Sequence, residues 1–326
     1  KATTTLSLEL PKLAFLFAEN EDFVGQWIII PIGLDQEFIV TQDSKFNYTG
    51  QVETCNLIKR RPAFGHKGTF GHALVCGGSK GMIGAAVLMS RSCLRSGVGL
   101  VTTVVPRCGY AILQEAVPES MCRNLKEEDI LSGETELDGY SAVGIGPGIG
   151  RHPRTASWLK QVLKEVEVPL VVDADALNII ADNPELLGLI PKGSILTPHP
   201  GEFDRLDSKS SSGFERAEKQ SKFAIKHEVY VVLKGRNTSI ATPDGHVHFN
   251  GSGNAGMATG GSGDVLTGLI TGLLAQGYNS FEACLVAVYI HGLAGDLQAA
   301  KHSEQALIAG DIVRGIGEAF QQMKKR

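Results

Sequence analysis

Hydrophobic and polar positions along this chain fall into two rhythms. From about residue 69, short runs rich in Val, Ile and Leu alternate with longer stretches whose apolar positions recur at helical spacing. The short runs predict strands at His72–Cys76, Leu100–Val105, Ala142–Ile145, Leu170–Val172, Ser194–Leu196 and Val229–Leu233. The longer ones predict helices at Gly84–Ser96, Pro153–Val166, Ala174–Ala181, Gly213–His227, Asp264–Gln276, Ser280–Ala300 and Gly310–Lys325. Strand runs that are apolar without alternation belong to strands covered on both faces. The expectation is a three-layer α/β/α body around a mainly parallel sheet. Thr238–Ala241 and Val247–Asn250, joined through Pro243-Asp244-Gly245, predict an antiparallel hairpin near one edge.

Residues 1–50 read differently. Leu6–Leu10, Leu13–Phe17 and Trp27–Ile32 predict short strands, broken by Pro11, the acidic Glu19–Asp22 stretch and Gly33. Three such strands are marginal alone, so the segment needs a partner surface. The polar stretch Thr41–Thr54 is expected to link it to residues 51–326. The chain opens at Lys1 without Met, as expected for a piece of a longer protein.

Composition narrows the class. The 326 residues are 43 % hydrophobic, enough for a sizeable core, and 39 glycines suit a fold with many strand-to-helix turns. A net charge of −4 gives no basic field for nucleic acid or acidic membranes, and the closing Lys324-Lys325-Arg326 is too short to change that. No apolar run reaches the ~18 residues of a bilayer span. The six cysteines form no CxxC pair and sit mostly in apolar runs, which points to small core residues in a reducing, cytoplasmic setting.

The candidate chemistry lies in glycine-rich turns. Gly251–Asp264 holds six glycines in fourteen residues, ends on a carboxylate and runs into an apolar helix. Glycines and a helix N-terminus together make an anion cradle. A carboxylate beside a phosphate repels it unless a metal or a hydroxyl lies between, which suggests phosphoryl transfer. Asp264 reads either as the helix N-cap or as the group that orients and deprotonates a hydroxyl. The helix dipole should keep it ionised and therefore a weak base.

Gly144–Gly150, GIGPGIG, superficially resembles a dinucleotide fingerprint. Pro147 removes an N–H from such a cradle, so a backbone wall against a flat substrate is the preferred reading over an NAD site. Gly77–Gly84 reads as a second ligand turn or as a plain tight turn. Asp173 and Asp175 close a strand, where they could orient Mg²⁺ or cap the next helix. In Thr197–Glu202 two prolines aim His199, and Glu202 reads as a cap ahead of a metal ligand. Lys234, beside Gly235, suits phosphate contact as a mobile point charge, or else a solvated turn.

In this order the motifs resemble those of the ribokinase-like superfamily, and more narrowly the ADP/ATP-dependent NAD(P)H-hydrate dehydratases. The resemblance rests on His66–Ala86, GIGPGIG, Val171–Asn178, Leu196–Phe203, Leu233–Thr238 and Ala258–Gly268. Thr5–Phe17 and Val24–Leu34 are similar to the closing strands of an NAD(P)H-hydrate epimerase domain. Two departures stand out: Asn254-Ala255-Gly256 where the family often has Asn-Pro-Gly, and Asn237 where it often has His.

The resemblance implies a ribokinase-like fold and dehydration of hydrated NADH or NADPH with ADP, or else ATP, as phosphoryl donor. It implies Asp264 as the catalytic group. Ala85, Gly146, Gly148 and His199 would contact the hydrated dinucleotide. Lys234, Gly235, Arg236, Asn237, Thr238, Asn254, Gly256, Met257, Ala258, Thr259, Gly260, Gly261, Ser262 and Gly263 would hold the nucleotide. Mg²⁺ would act through phosphates, with Asp173 or Glu202 as candidate ligands, and a homo-oligomer, favouring a tetramer, is implied. The alternatives are a small-molecule kinase of the same superfamily, which would release a stable phosphorylated alcohol, and a nucleotide-binding module without turnover.

Overall fold

The computed structural model describes residues 1–324; the last residue of the expected terminal helix, Lys325, and Arg326 lie outside it. Twelve strands form: β1 (Thr4–Leu8), β2 (Gln26–Ile30), β3 (Phe46–Thr49), β4 (His72–Cys76), β5 (Leu100–Val105), β6 (Met121–Asn124), β7 (Ala142–Ile145), β8 (Leu170–Val172), β9 (Ile195–Leu196), β10 (Tyr230–Leu233), β11 (Ser239–Ala241) and β12 (Val247–Asn250). The helices are α1 (Glu21–Val24), α2 (Gln36–Thr41), α3 (Gln51–Leu57), α4 (Ile83–Arg95), α5 (Tyr110–Ala116), α6 (Pro153–Glu165), α7 (Ala174–Asp182), α8 (Pro200–Leu206), α9 (Gly213–His227), α10 (Ser262–Ala275), α11 (Ser280–His302) and α12 (Ala309–Gln322).

Ten strands make one sheet in the order β3-β12-β11-β10-β9-β8-β7-β4-β5-β6, parallel except for the two pairs made by β11. Alternate residues of β4 enter opposite cores. Ala73 and Val75 join the cluster under α4, α10, α11 and α12, while Leu74 and Cys76 join the one under α6, α7 and α9. Both faces are covered, and that is why these strands read as unbroken apolar runs. The chain runs outward from β4 to β6, then returns to place β7 on the other side of β4. The turns after β4 and β7 therefore sit at the topological switch point, where open parallel sheets bind ligands.

Helix α10 packs closely on α4 through its glycines. A Cβ at Gly268 would stand 2.0 Å from the Met89 carbonyl oxygen, and one at Gly272 would stand 2.8 Å from that of Cys93. Their spacing of one helical turn is a seam of close contact, which fixes where the α10 N-terminus lies.

The N-terminal region differs from its prediction. β1 and β2 pair in parallel, but Leu13–Leu16 is a single 3-10 turn rather than a strand. That turn sends Leu16 into the core and brings Phe17 edge-on to Phe214 and Phe249. The stretch expected to be a linker contains β3, which pairs in parallel with β12, and then α3. Phe46 and Tyr48 explain why, because they pack on Phe249 and Trp27. The body's sheet thus takes in residues before the expected boundary at residue 50. Helix α11 is long and apolar enough to span a bilayer, an exception to the sequence reading; it is largely buried between α10 and α12.

Candidate active site

The α10 N-terminus points at the strand ends. Its N-cap is Gly261, at φ +89°, rather than Asp264, which lies in the first turn. A left-handed N-cap suits glycine. The N–H groups of Gly260, Gly261 and Gly263 donate to nothing among the described residues. These are the orphan donors of a helix start, so the loop can receive an anion.

Asp264 faces this cradle, and its carboxylate has no hydrogen-bond partner among the described residues. Burial, with the nearby Asp173 carboxylate second, pushes its pKa up to about 6; Lys234 partly offsets them. The expected effect of the helix dipole loses to desolvation and like charge. Asp264 is a stronger base than the sequence implied.

Behind it lies a charged cluster. Lys234 Nζ donates to Asp173 Oδ1 at 2.7 Å and lies 3.7 Å from Glu202 Oε2. Thr267 Oγ1 donates to Asp173 Oδ2 at 2.7 Å, so both oxygens of this fully buried carboxylate are engaged. Burial pulls the Lys234 ammonium down, but Asp173, Glu202 and Asp264 outweigh it and hold its pKa above the ordinary value. Gly263 leaves room here: a Cβ on it would stand 3.3 Å from Lys234 Nζ.

His199 and Glu202 form a reciprocal cap on α8. His199 Nδ1 accepts from the Gly201 and Glu202 N–H groups, and Glu202 Oε2 accepts from His199 N–H at 2.7 Å. His199 therefore joins the cluster only through Glu202. Asp175 Oδ2 accepts from Gly150 N–H at 2.9 Å, while Asp173, the residue before α7, makes no capping bond.

The turns after β4 and β7 lean on each other. Gly78 N–H donates to the Pro147 carbonyl at 2.8 Å, and Ser79 Oγ to the Gly148 carbonyl at 2.8 Å. A Cβ on Gly148 would stand 3.0 Å from that of Ala85, and one on Gly146 would stand 1.9 Å from the Asp173 carbonyl oxygen. Ala85, Gly146, Gly148 and Asp173 are thus gathered into one wall.

The other nucleotide-loop candidates are tied in from several sides. Arg236 Nη1 donates to the Gly253 carbonyl at 2.8 Å, and Thr238 Oγ1 to that of Gly235 at 3.0 Å. Asn237 turns away, donating to the Leu16 carbonyl at 3.2 Å and so tethering the N-terminal segment to its own body. Asn254 Oδ1 accepts from Gly256 N–H at 3.0 Å. Met257 fills space beside Gly253 and Gly295. The Ala258 N–H donates to the Ala255 carbonyl, and the Thr259 carbonyl accepts from Ser262 N–H.

Three partners escaped the sequence reading: Thr267, His291 and Asp296. Asp296 on α11 accepts from Gly253 N–H at 2.9 Å and from Asn254 Nδ2 at 2.8 Å. His291 Nε2 lies 3.0 Å from the Ser262 carbonyl. Burial pushes its pKa down to about 4, which keeps it neutral and lets the ring donate to that carbonyl. Only Thr267 carried a local signal, one turn beyond Gly263 on a helix already marked as important.

Among the described residues no cluster of three His, Cys, Asp or Glu side chains is placed to cage a metal. Asp173 is engaged by Lys234 and Thr267, and Glu202 is engaged as a cap. This donor set fits an ion held chiefly by phosphate oxygens, as Mg²⁺ commonly is.

Residues 73–316 match the family model described as NAD(P)H-hydrate dehydratase. The ADP-dependent (S)-NAD(P)H-hydrate dehydratase of Neisseria meningitidis serogroup B is 38 % identical over 265 residues, 79 % of this chain and 87 % of that one. A bifunctional NAD(P)H-hydrate repair enzyme of Moorella thermoacetica is 38 % identical over 96 % of this chain, which spans only 61 % of that enzyme's length. The ADP/ATP-dependent NAD(P)H-hydrate dehydratase of Bacillus subtilis, co-crystallized with ATP/Mg²⁺, superposes with a TM-score of 0.72 at 30 % identity, over 85 % of this chain and 99 % of that one. The fold is the ribokinase-like one. With the cradle, the carboxylate and the paired glycine turns in place, the chain belongs to the NAD(P)H-hydrate dehydratase family.

Proposed function

We propose that this chain restores NADH and NADPH from their hydrates, using ADP as phosphoryl donor. The observation that carries the reading is the pairing of a strong carboxylate base, Asp264, with the open N–H groups of Gly260, Gly261 and Gly263 in one helix start. A hydroxyl at C6 of the reduced ring is a poor leaving group, because hydroxide is strongly basic; a phosphate leaves far more readily. Asp264 aligns the hydroxyl and takes its proton. The oxygen attacks the β-phosphorus of ADP and AMP departs. Electrons of the ring nitrogen then expel phosphate, and loss of a proton from the adjacent ring carbon restores the double bond. The products are AMP, phosphate and NAD(P)H.

The cradle N–H groups stabilise the moving phosphoryl. Lys234 to Thr238 and the Asn254–Gly263 loop hold the nucleotide, while Ala85, Gly146, Gly148 and His199 contact the hydrated dinucleotide. Mg²⁺, when bound, would neutralise phosphate charge, with Asp173 or Glu202 as the residues that would hold it. The six free thiols suit a reducing, cytoplasmic setting. The exposed Leu6, Leu8, Ile28 and Ile30 of the β1–β2 pair support assembly through this face, and a homo-oligomer belongs to the same proposal.

The test is turnover of hydrated NADH with ADP, then with ATP, followed at the NADH absorbance band. Asp264→Asn should lose roughly 10²–10⁴ of kcat, the range for a general base, while ADP binding by calorimetry stays close to wild type. Since the carboxylate is the active form, kcat/KM should level off well above pH 6 and fall as pH drops through about 6. Appreciable turnover by Asp264→Asn defeats the assignment. Accumulation of a stable phosphorylated alcohol would move the reading to a kinase.

A further inference from the structure

A cavity of ≈ 530 Å³ opens between α4, the end of α5 and α12. Its lining carries three guanidinium groups, from Arg91, Arg95 and Arg314, against one carboxylate, Glu119. In a chain of net charge −4 this is a local reversal of sign. Arg91 donates through Nε and Nη2 to the Ala116 carbonyl at 3.2 and 2.8 Å, which fixes the group in place and leaves Nη1 for another partner. Arg314 is held by Asp311 on its own helix. Arg95, the last residue of α4, has no side-chain hydrogen bond or ion pair among the described residues. Leu88 and Val313 add apolar lining.

With Arg314 paired to Asp311, Arg91 and Arg95 still outnumber Glu119, and like charges gathered around one space repel unless an anion shares it. Planar guanidinium forks suit phosphate oxygens better than a point charge does. The volume falls within the range of small-molecule pockets, not of macromolecular grooves. We propose that this cavity is a second site, separate from the Asp264 cradle, for a phosphate-bearing small molecule.

The cavity is also connected to the cradle. A Cβ on Gly261 would stand 2.5 Å from Leu88 Cδ1 on α4 and 3.1 Å from Ala309 Cβ at the start of α12. Both walls of the cavity therefore close on the N-cap of α10. A ligand that draws Arg95 and Arg314 together acts on the packing around Gly261 and changes nucleotide affinity; by linkage, nucleotide changes the affinity of the cavity. The coupling rests on the dehydratase reading, whereas binding in the cavity does not.

Inorganic pyrophosphate, titrated calorimetrically into the full chain, tests both parts. Wild type should show two sites, one of them weakened about tenfold or more in Arg95→Gln, as expected for a lost charge-assisted bond. The Arg95 side chain has no hydrogen-bond or ion-pair partner among the described residues, so its substitution should leave the fold intact; Arg95→Gln/Arg314→Gln should weaken the site further. Identical titrations in all three chains overturn the site. So does a shift in sedimentation mass of the Arg95→Gln chain, which would make the cavity a contact between copies. Pyrophosphate should change the KM for ADP in wild type but not in Arg95→Gln, beyond simple competition seen in both. An equal response in both removes the coupling and leaves the site. Failure of the dehydratase reading would show separately, as no turnover in any chain.

Discussion

The two glycine-rich turns around the site, Gly144–Gly150 and Gly260–Asp264, are similar on paper and opposite in use. In the first, most donors are already engaged, although the Gly148 N–H has no acceptor among the described residues. Gly146 N–H bonds to the Cys76 carbonyl, Gly150 N–H to Asp175, and Pro147 has none to offer. In the second, the N–H groups of Gly260, Gly261 and Gly263 remain free among the described residues. The first turn is a wall and the second is a cradle. In the first turn glycine permits close approach by the protein's own backbone; in the second it leaves N–H groups open for the proposed phosphoryl ligand.

The strongest way to break this contrast is at Gly146. Its φ is +131°, and a Cβ would stand 1.9 Å from the Asp173 carbonyl oxygen. Neither the backbone conformation nor that carbonyl can yield cheaply. Gly146→Ala should cost about 3–5 kcal/mol of stability, the sum of a strained backbone and an overpacked core. Thermal melting would show it. An unchanged melting temperature would mean that the wall is soft, and that glycine there serves the ligand after all.

Gly148 sits between the two cases. At φ +67°, with Met82 O at 2.9 Å and Ala85 Cβ at 3.0 Å from a built Cβ, alanine costs about 1–2 kcal/mol and pushes on the proposed dinucleotide wall. Gly148→Ala should raise the KM for hydrated NADH roughly tenfold, equal to ~1.4 kcal/mol, and leave the KM for ADP alone. An equal rise in both would merge wall and cradle into one surface.

Much of this was legible in the chain. β4, β5, β7 and β8 match their expected limits because they are buried on both faces and flanked by turn residues. β3 and β6 escaped because they stand at the two edges of the sheet, where polar residues are tolerated. Phe46-Asn47-Tyr48-Thr49 reads as a linker until β12, some two hundred residues later, supplies its partner. The cradle was legible since its glycines and carboxylate are contiguous. Its supports were not. His291 and Asp296 lie within a long apolar helix, and nothing local shows that one meets Ser262 and the other Gly253. The strength of Asp264 as a base escapes the sequence for the same reason, because the fold buries it and, second to that, brings Asp173 to it from another strand end.

The smallest expected effect sharpens the comparison most. Gly260 takes an ordinary backbone conformation, and a Cβ built on it meets nothing within 4 Å. By the logic of Gly146, nothing in the protein requires glycine here, so Gly260→Ala should melt within about a degree of wild type, as surface substitutions do. If that open space belongs to the transferred phosphoryl, the methyl intrudes on the ligand alone. The KM for ADP should then rise about three- to tenfold, a loss near 1 kcal/mol, with the KM for the hydrated dinucleotide unchanged. A variant that is both stable and kinetically normal would show that the cradle lies deeper, at Gly261 and Gly263. Those two positions are bounded by Leu88 and Lys234, so they cannot separate ligand from fold; Gly260 can.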